Sequence, residues 1–280
     1  MKKVKIPAKI NLTLDVLGAA NGYHEISSIV CSVNVYDVVK ARKRKDGIIT
    51  LSEKGIPSEC EKEKNNAHRA AVAFVKKYNT AGADVIVNKN IPVGGGLGGS
   101  SADIAGTLKA MQKLYRIKDD MTPLANSLGS DSGYMLKGGA AIIYGRGEKV
   151  KSLPPIPTLY LLFINAKEKC VSSQSYKNYD EIGITYKEAT KLAANALKSG
   201  DLRGFCKLLK NDLTEGSAKI LPQIKDGIKD LMSAGADAAL MTGSGSCVYG
   251  VFIKKKDRNV AYKKLFGVYG KRLIKAETLN

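Results

Sequence analysis

The chain has 280 residues, 44% hydrophobic and 25% charged, with 45 Lys and Arg against 26 Asp and Glu for a formal charge of +19. That balance belongs to a folded protein of one large or two modest domains and excludes disordered and fibrous classes. No apolar run approaches the roughly 20 residues of a membrane span, and the start MKKVKIPAKI has no apolar segment behind its lysines, so the chain reads as cytoplasmic.

In chain order, residues 2–6 alternate as a strand that is interrupted or bulged at Pro7. Lys9 and Asn11 lie two apart, so an extended backbone puts them on one face. A lysine and an amide there either contact an anion or form an ordinary edge-strand polar pair. Residues 13–16 lead to a turn over 18–22, signalled by Asn21-Gly22, and Tyr23-His24-Glu25 opens a second extended stretch to Asp37. His24, one of two histidines, is by itself an ordinary structural hydrogen-bonder. A strand near 48–51, a charged loop over 53–64 and a helix over 65–78 follow, the helix with Ala67, Ala70, Ala71, Phe74 and Val75 on its apolar face. Residues 83–87 form the next strand, and apolar residues at helical spacing run from 103 to 114.

A shorter helix over 122–128 ends at Gly129-Ser130-Asp131-Ser132-Gly133, where an aspartate among small residues is, taken alone, a turn former or cap. Strands over 138–143 and 149–151 flank a turn at 145–147. The prolines at 154, 155 and 157 mark a boundary between domains at 1–153 and 154–280. Beyond it come a strand over 158–164, a helix carrying Tyr176 and Tyr179, and helices over 186–198, 201–209 and 222–234. Strands over 237–241 and 247–252 enclose Thr242-Gly243-Ser244-Gly245-Ser246, and a helix over 257–266 and a strand over 271–276 complete the chain. The five cysteines are scattered, without the spacing of a disulfide framework or a zinc site. The basic residues are also dispersed, with short runs at 40–45 and 254–256, which suits a solvated basic surface and is compatible with steering of polyphosphate substrates.

Between the 83–87 strand and the helix beyond it lies Pro92-Val93-Gly94-Gly95-Gly96-Leu97-Gly98-Gly99-Ser100-Ser101. A glycine-dense turn entering a helix gathers backbone N–H groups and the positive end of the helix dipole at one point, an anion site whose usual occupant is phosphate. The Lys-Ser/Thr pair of a Walker loop is missing, and the turn-rich stretch upstream does not suit the dinucleotide fingerprint. A flexible glycine linker is the alternative, but linkers seldom join a strand to an amphipathic helix. The segment reads as a phosphate-binding loop.

Three segments, PAKINL at 7–12, PVGGGLGGSSAD at 92–103 and MTGSGSCVYGVF at 241–252, resemble the three signatures of the GHMP small-molecule kinases in order. PAKINLTLDVLG followed by NGYHEI at 21–26, with Asn211-Asp212-Leu213 and Pro222 downstream, is similar to the branch acting on a cytidine-diphosphate-linked methylerythritol in non-mevalonate isoprenoid precursor synthesis. The resemblance implies an α+β, two-domain GHMP kinase fold: an N-terminal domain like the second domain of ribosomal protein S5 and a ferredoxin-like C-terminal domain. It implies ATP-dependent phosphorylation of the 2-hydroxyl of that substrate, with Mg²⁺ held mainly by the ATP phosphates. Lys9 and Asp131 match the catalytic pair: Asp131 takes the hydroxyl proton, and Lys9 lowers the hydroxyl pKa and holds charge near the γ-phosphate. The resemblance assigns residues 92–101 to the ATP phosphates, and Asn11, Tyr23, His24, Tyr176, Gly243, Ser244 and Gly245 to the substrate, with Tyr23 and Tyr176 sandwiching the pyrimidine. It further implies a small-molecule partner, neither nucleic acid nor membrane, and a monomer or homodimer.

The chain departs from the family pattern in four places. Asp131-Ser132-Gly133 replaces aspartate-aliphatic-proline, which predicts a looser backbone around the base. Ala20-Asn21 stands for the usual Arg-Asp, Ser100 for a third glycine and Ala102 for a second serine. A GHMP kinase for another small alcohol, of homoserine or mevalonate type, would keep Lys9, Asp131 and the loop without using Tyr23, His24 and Tyr176. An RNA-binding protein on the S5-like fold would instead use the +19 charge as a basic stripe with exposed aromatics.

Overall fold

The computed structural model describes residues 1–20, 22–56, 60–166, 168–183 and 188–279. In its first half it forms β1 (Lys2–Asn11), β2 (Thr13–Ala20), β3 (Tyr23–Lys43), β4 (Ile49–Gly55), α1 (Asn66–Tyr78), β5 (Ala83–Lys89), α2 (Gly99–Tyr115), α3 (Thr122–Leu128), α4 (Ser132–Lys137), β6 (Ala140–Gly145) and β7 (Lys149–Ser152). The second half contributes β8 (Tyr160–Ile164), α5 (Ser172–Ile182), α6 (Ala189–Ser199), α7 (Leu202–Leu208), β9 (Lys210–Asn211), α8 (Thr214–Ile220) and α9 (Gln223–Ser233). It closes with β10 (Ala238–Met241), β11 (Val248–Phe252), α10 (Lys255–Tyr269) and β12 (Leu273–Leu279). The Asn21 half of the expected turn and the first residues of the helix expected from 186 lie outside the described residues.

Packing divides the chain into two compact units that interleave in sequence. One comprises Met1–Ala8, Val35–Val93 and Gly98–Gly138; the other comprises Lys9–Asn34, Gly94–Leu97 and Gly139–Asn280. The break expected at 153/154 coincides with neither limit, because β1, β3 and the glycine loop each contribute residues to both units.

In the first unit the later half of β3 pairs antiparallel with β5, and β5 pairs parallel with β4. β3 runs beyond Asp37 to Lys43 because the pattern continues: Val39 and Ala41 are fully buried between more exposed neighbours. α1 and α2 pack on one another, and α4 packs against α2 and α3. Asn65 caps α1 by accepting from the Ala67 N–H, and Ala67, Ala70, Ala71 and Phe74 are buried.

β1 is continuous through Pro7. Among the described residues it pairs with β3 alone, and the Lys9 N–H, two residues on and therefore on the same edge as the Pro7 nitrogen, goes to Leu97 O at 3.0 Å. The missing proline N–H thus faces away from the ladder.

In the second unit the first half of β3 pairs with β2 and β6, and β7 pairs with β6. The strands β10-β11-β8-β12 lie in that spatial order, all antiparallel. With α9 and α10 as crossovers they form the βαββαβ, ferredoxin-like arrangement that the resemblance implies. α4, α8 and the two-residue β9 were not anticipated from the sequence pattern. No described helix is long and apolar enough to cross a membrane.

Candidate active site

Three segments far apart in sequence converge within the second unit. Lys9 and Asn11 share a face of β1, both buried, and the Lys9 Nζ donates to Asn11 Oδ1 at 2.7 Å. The Gly243 N–H donates to the same oxygen at 3.1 Å, while Asn11 Nδ2 donates to Ser28 Oγ at 2.8 Å. Thr242 ties in the glycine loop: its Oγ1 accepts from the Asn11 N–H at 3.2 Å and donates to Gly96 O at 3.2 Å. Asn211 Nδ2 donates to Met241 O and Gly243 O at 2.8 and 2.7 Å, holding the β10–β11 loop from β9. Ser244 is anchored from two helices, its Oγ sharing a hydrogen bond with Ser172 Oγ at 2.7 Å and its carbonyl accepting from Ser217 Oγ at 3.0 Å. Lys9 and Asn11 are therefore a buried pair. Asn11, expected to line the substrate, has its amide occupied by Lys9, Gly243 and Ser28.

Within the glycine loop, Gly94, Gly96 and Gly98 have φ of 72°, 74° and 75°, so every second residue is left-handed. At Gly96 shape matters as well: a Cβ would lie 2.0 Å from Thr242 O. A Cβ on Gly243 would in turn meet Gly96 Cα at 3.1 Å. The close approach of these two backbones leaves no room for a side chain on either. The Lys169 stem lies against Gly94, where a Cβ would be 2.5 Å from Lys169 Cγ. Sequence reading passed over this lysine because its neighbours carry no motif. Ser246 N–H reaches Gly94 O at 3.3 Å, a second tie between the two loops.

In the first unit, α2 starts at Gly99, four residues ahead of the expected 103, with left-handed Gly98 at its N-cap. Ser100 and Ser101 are therefore helical, and the Gly99, Ser100 and Ser101 N–H groups belong to the turn that has no intrahelical acceptor. Pro92 and Val93 lead into the loop after β5. Asp131 stands at the N-cap position of α4 without capping it by its side chain. Close by, a Cβ on Gly129 would be 2.8 Å from Ser132 Oγ and 3.7 Å from Ser101 Oγ. The looser backbone expected after Asp131 is not what forms. Ser132 and Gly133 open a helix and are buried, and a Cβ on Gly133 would lie 2.1 Å from Asn126 Oδ1. Glycine here admits a close neighbour.

A buried charged cluster in the same unit was not read from the sequence. Lys89 Nζ, at the end of β5, is hydrogen-bonded to Asp103 Oδ2 in α2 and lies 3.8 Å from Asp37 Oδ2 in β3. Asp37 Oδ1 accepts from the N–H groups of Asn90 and Ile91 at 2.6 and 2.9 Å. Burial pushes the Asp103 carboxyl up to about 6, against the pull of Lys89 and with the repulsion of Asp37 and Glu53 added.

The residues expected at a pyrimidine gather in the second unit. His24 stacks on Tyr176, centroids 4.6 Å apart and planes 20° from parallel, and its Nε2 lies 2.8 Å from Asp180 Oδ1. Tyr23 is half exposed and carries the Arg146 guanidinium over its ring at 3.8 Å. A cleft of about 270 Å³ opens beside His24, bordered by Val16 and Gly18 of β2 and by Tyr179 and Asp180 of α5.

The GHMP kinases N terminal domain matches residues 65–146, and GHMP kinases C terminal matches 193–270. The 4-diphosphocytidyl-2-C-methyl-D-erythritol kinase of Caldanaerobacter subterraneus subsp. tengcongensis is 37% identical over 272 residues, spanning 95% of this chain and 93% of its own. The protein of the same name from Shouchella clausii is 33% identical over 283 residues, spanning 97% and 94%. A crystal structure of 4-(cytidine 5'-diphospho)-2C-methyl-D-erythritol kinase superposes with a TM-score of 0.84 at 25% identity over 99% of both chains. L. major mevalonate kinase, at 15% identity, shares the fold with a TM-score of 0.75 over 99% of this chain and 96% of its own. The chain belongs to the GHMP kinases, in the family of the 4-diphosphocytidyl-2-C-methyl-D-erythritol kinases.

Proposed function

We propose that this kinase transfers the γ-phosphoryl group of ATP to the 2-hydroxyl of 4-diphosphocytidyl-2-C-methyl-D-erythritol, a step toward isoprenoid precursors in the non-mevalonate pathway. The observation that carries the reading is similarity at 33–37% identity along nearly the whole chain to proteins of that name. The buried Lys9–Asn11 pair, tied to both glycine loops, supports it from the side of the chemistry.

In this reading, the alternating left-handed glycines turn backbone N–H groups toward the ATP phosphates, and the unbonded first turn of α2 adds Gly99, Ser100 and Ser101. Asp131 accepts the proton of the substrate hydroxyl. Lys9, held by Asn11, stabilises the developing alkoxide and the charge near the γ-phosphate. Asn11 thus acts on Lys9 instead of lining the substrate. The pyrimidine is received at Tyr23, His24 and Tyr176; because Arg146 covers one face of Tyr23, the base takes the other face or displaces the guanidinium. Gly243, Ser244 and Gly245 wall the substrate site from the β10–β11 loop, whose shape is held by their backbone bonds to Asn11, Asn211 and Ser217. Among the described residues there is no cluster of three or more His, Cys, Asp or Glu for a metal. The donors that fit Mg²⁺ are the nucleotide's own phosphates, with the hydroxyls of Ser100 and Ser101 beside them. Bound there, the ion neutralises β- and γ-phosphate charge.

ATP consumption measured with the cytidine-linked substrate, beside homoserine, mevalonate and simple sugars, tests the reading. Turnover on the cytidine substrate alone is expected. Turnover on another alcohol, with none on the cytidine substrate, would overturn it.

A further inference from the structure

His24 is fixed on two sides by one helix face. Tyr176 and Asp180 are four residues apart on α5 and so project side by side. The Tyr176 ring lies against the face of the imidazole, which sets its plane. The Asp180 carboxylate meets its edge at Nε2, 2.8 Å away, which sets its rotation within that plane. His24 is 17% exposed, whereas Asp180 is 56% exposed. The imidazole is therefore the sheltered partner and the carboxylate the accessible one.

The chemistry of the pair then fixes a proton. An ionised carboxylate only accepts hydrogen bonds, so Nε2 must be the protonated nitrogen. In the neutral ring this leaves Nδ1 as a bare acceptor. No partner for Nδ1 occurs among the described residues. The ring also borders the cleft shared by β2 and α5.

We propose that Asp180 is a positioning residue that selects cytosine over uracil by holding His24 in the Nε2–H form, so that Nδ1 accepts from the exocyclic amine of the base. Cytosine presents an N–H donor at its 4-position and uracil presents an oxygen acceptor there. An acceptor at Nδ1 gains a hydrogen bond from the first and faces lone pairs on the second. The inference rests on the cytidine reading of the substrate. It adds a residue that touches no substrate and acts through the tautomer of its neighbour.

The test combines a spectroscopic and a binding measurement on the wild type, Asp180→Ala and Asp180→Asn. Nitrogen-15 spectra, at a pH where the rings are neutral, report the tautomer of His24, and His68 is the only other histidine to be distinguished. The wild type is expected in the Nε2–H form and Asp180→Ala in a mixture of forms. Binding of cytidine 5'-diphosphate and uridine 5'-diphosphate is measured alongside. The preference for cytidine is expected to fall roughly tenfold in Asp180→Ala, the equivalent of one ordinary hydrogen bond. Asp180→Asn, whose amide oxygen still accepts from Nε2, should retain most of the preference. A merely structural role for Asp180 would weaken both nucleotides equally. An Asp180→Ala protein with the wild-type tautomer and the wild-type preference overturns the inference, even where the cytidine-linked substrate is phosphorylated. A wild type that prefers cytidine diphosphate through Asp180, yet fails to phosphorylate the cytidine-linked substrate, overturns the functional reading and supports the inference.

Discussion

Lys89 at the end of β5 and Asp103 in α2, four residues beyond its start at Gly99, form a buried ion pair that joins the two ends of the glycine loop. Asp37 adds a second carboxylate and accepts the N–H groups of Asn90 and Ile91, the first residues of the segment leading into that loop. The glycines give the loop conformational freedom; the cluster at its base removes that freedom where the strand ends and the helix begins. Two carboxylates and one ammonium, all nearly inaccessible, leave Lys89 as the cation on which both carboxylates depend.

Lys89→Met should therefore strand two buried carboxylates. The expected loss is about 3–5 kcal/mol, in the range for breaking a buried ion pair from one side. Urea unfolding measures it, and KM for ATP should rise because the loop loses its closure. A variant as stable as the wild type would show that the cluster is not a structural tie.

The raised Asp103 carboxyl has a pH signature of definite sign. Folded Asp103 protonates near pH 6, while an unfolded aspartate does so near 4. Between those values the folded state binds more protons, so this group's contribution to stability falls as pH rises through the window and is constant above it. Asp37, also raised by burial, acts in the same direction. The difference in unfolding free energy between wild type and Asp103→Asn should shift against the wild type by on the order of 2–3 kcal/mol from pH 4 to pH 6. Parallel stability curves for the two proteins would contradict the assignment.

Gly96→Ala and Gly139→Ala separate backbone strain from lack of space. Both glycines have φ of 74°, but a Cβ meets nothing within 4 Å at Gly139 and lies 2.0 Å from Thr242 O at Gly96. Gly139→Ala should cost only the left-handed penalty, about 1–2 kcal/mol. Gly96→Ala must also push the β10–β11 loop away, so its melting temperature should fall further and its ATP affinity should drop. Equal melting temperatures would mean that the two backbones can separate freely.

What was legible in the sequence was local. The two-residue spacing of Lys9 and Asn11 put them on one face, and the glycine density announced the loop. The start of α2 was misjudged because glycine and serine are weak helix formers, and here a left-handed Gly98 caps a helix whose first turn contains them. Gly133 looked like added flexibility because its meaning depends on Asn126, which only the packing of α3 and α4 brings close. Lys89, Asp103 and Asp37 come from three elements, and no spacing rule connects them. Asp180 is likewise ordinary until β3 sets His24 against α5. β3 contributes residues to both compact units, which a proline-rich stretch does not signal.

Asp131→Asn keeps the shape of the proposed base and removes its capacity to take a proton. Turnover should fall by about 10²–10⁴-fold, the usual contribution of general-base catalysis. ATP affinity should change little, since nucleotide binding is assigned to the glycine loop and α2. Unchanged turnover would eliminate Asp131 as the base.

Asn11 provides the sharpest separation of positioning from folding. Its Oδ1 accepts from Lys9 Nζ and from the Gly243 N–H, and its Nδ2 donates to Ser28 Oγ. The Ser28 hydroxyl hydrogen is already committed to Thr13 O. Asn11→Asp keeps the acceptor for Lys9 and Gly243 but turns a second oxygen toward Ser28, where no proton is left to meet it. Asn11→Ala removes all three contacts. Alanine should therefore lower kcat more than aspartate does, by roughly 10–100-fold, as expected when a catalytic group is misplaced by about an ångström. Aspartate should lower thermal stability through the unpaired oxygen while keeping Lys9 oriented. Steady-state kinetics at saturating ATP, read beside melting curves, distinguishes the two effects. An Asn11→Ala enzyme with wild-type kcat would mean that Lys9 finds its position without the amide, and the buried pair would then belong to the core alone.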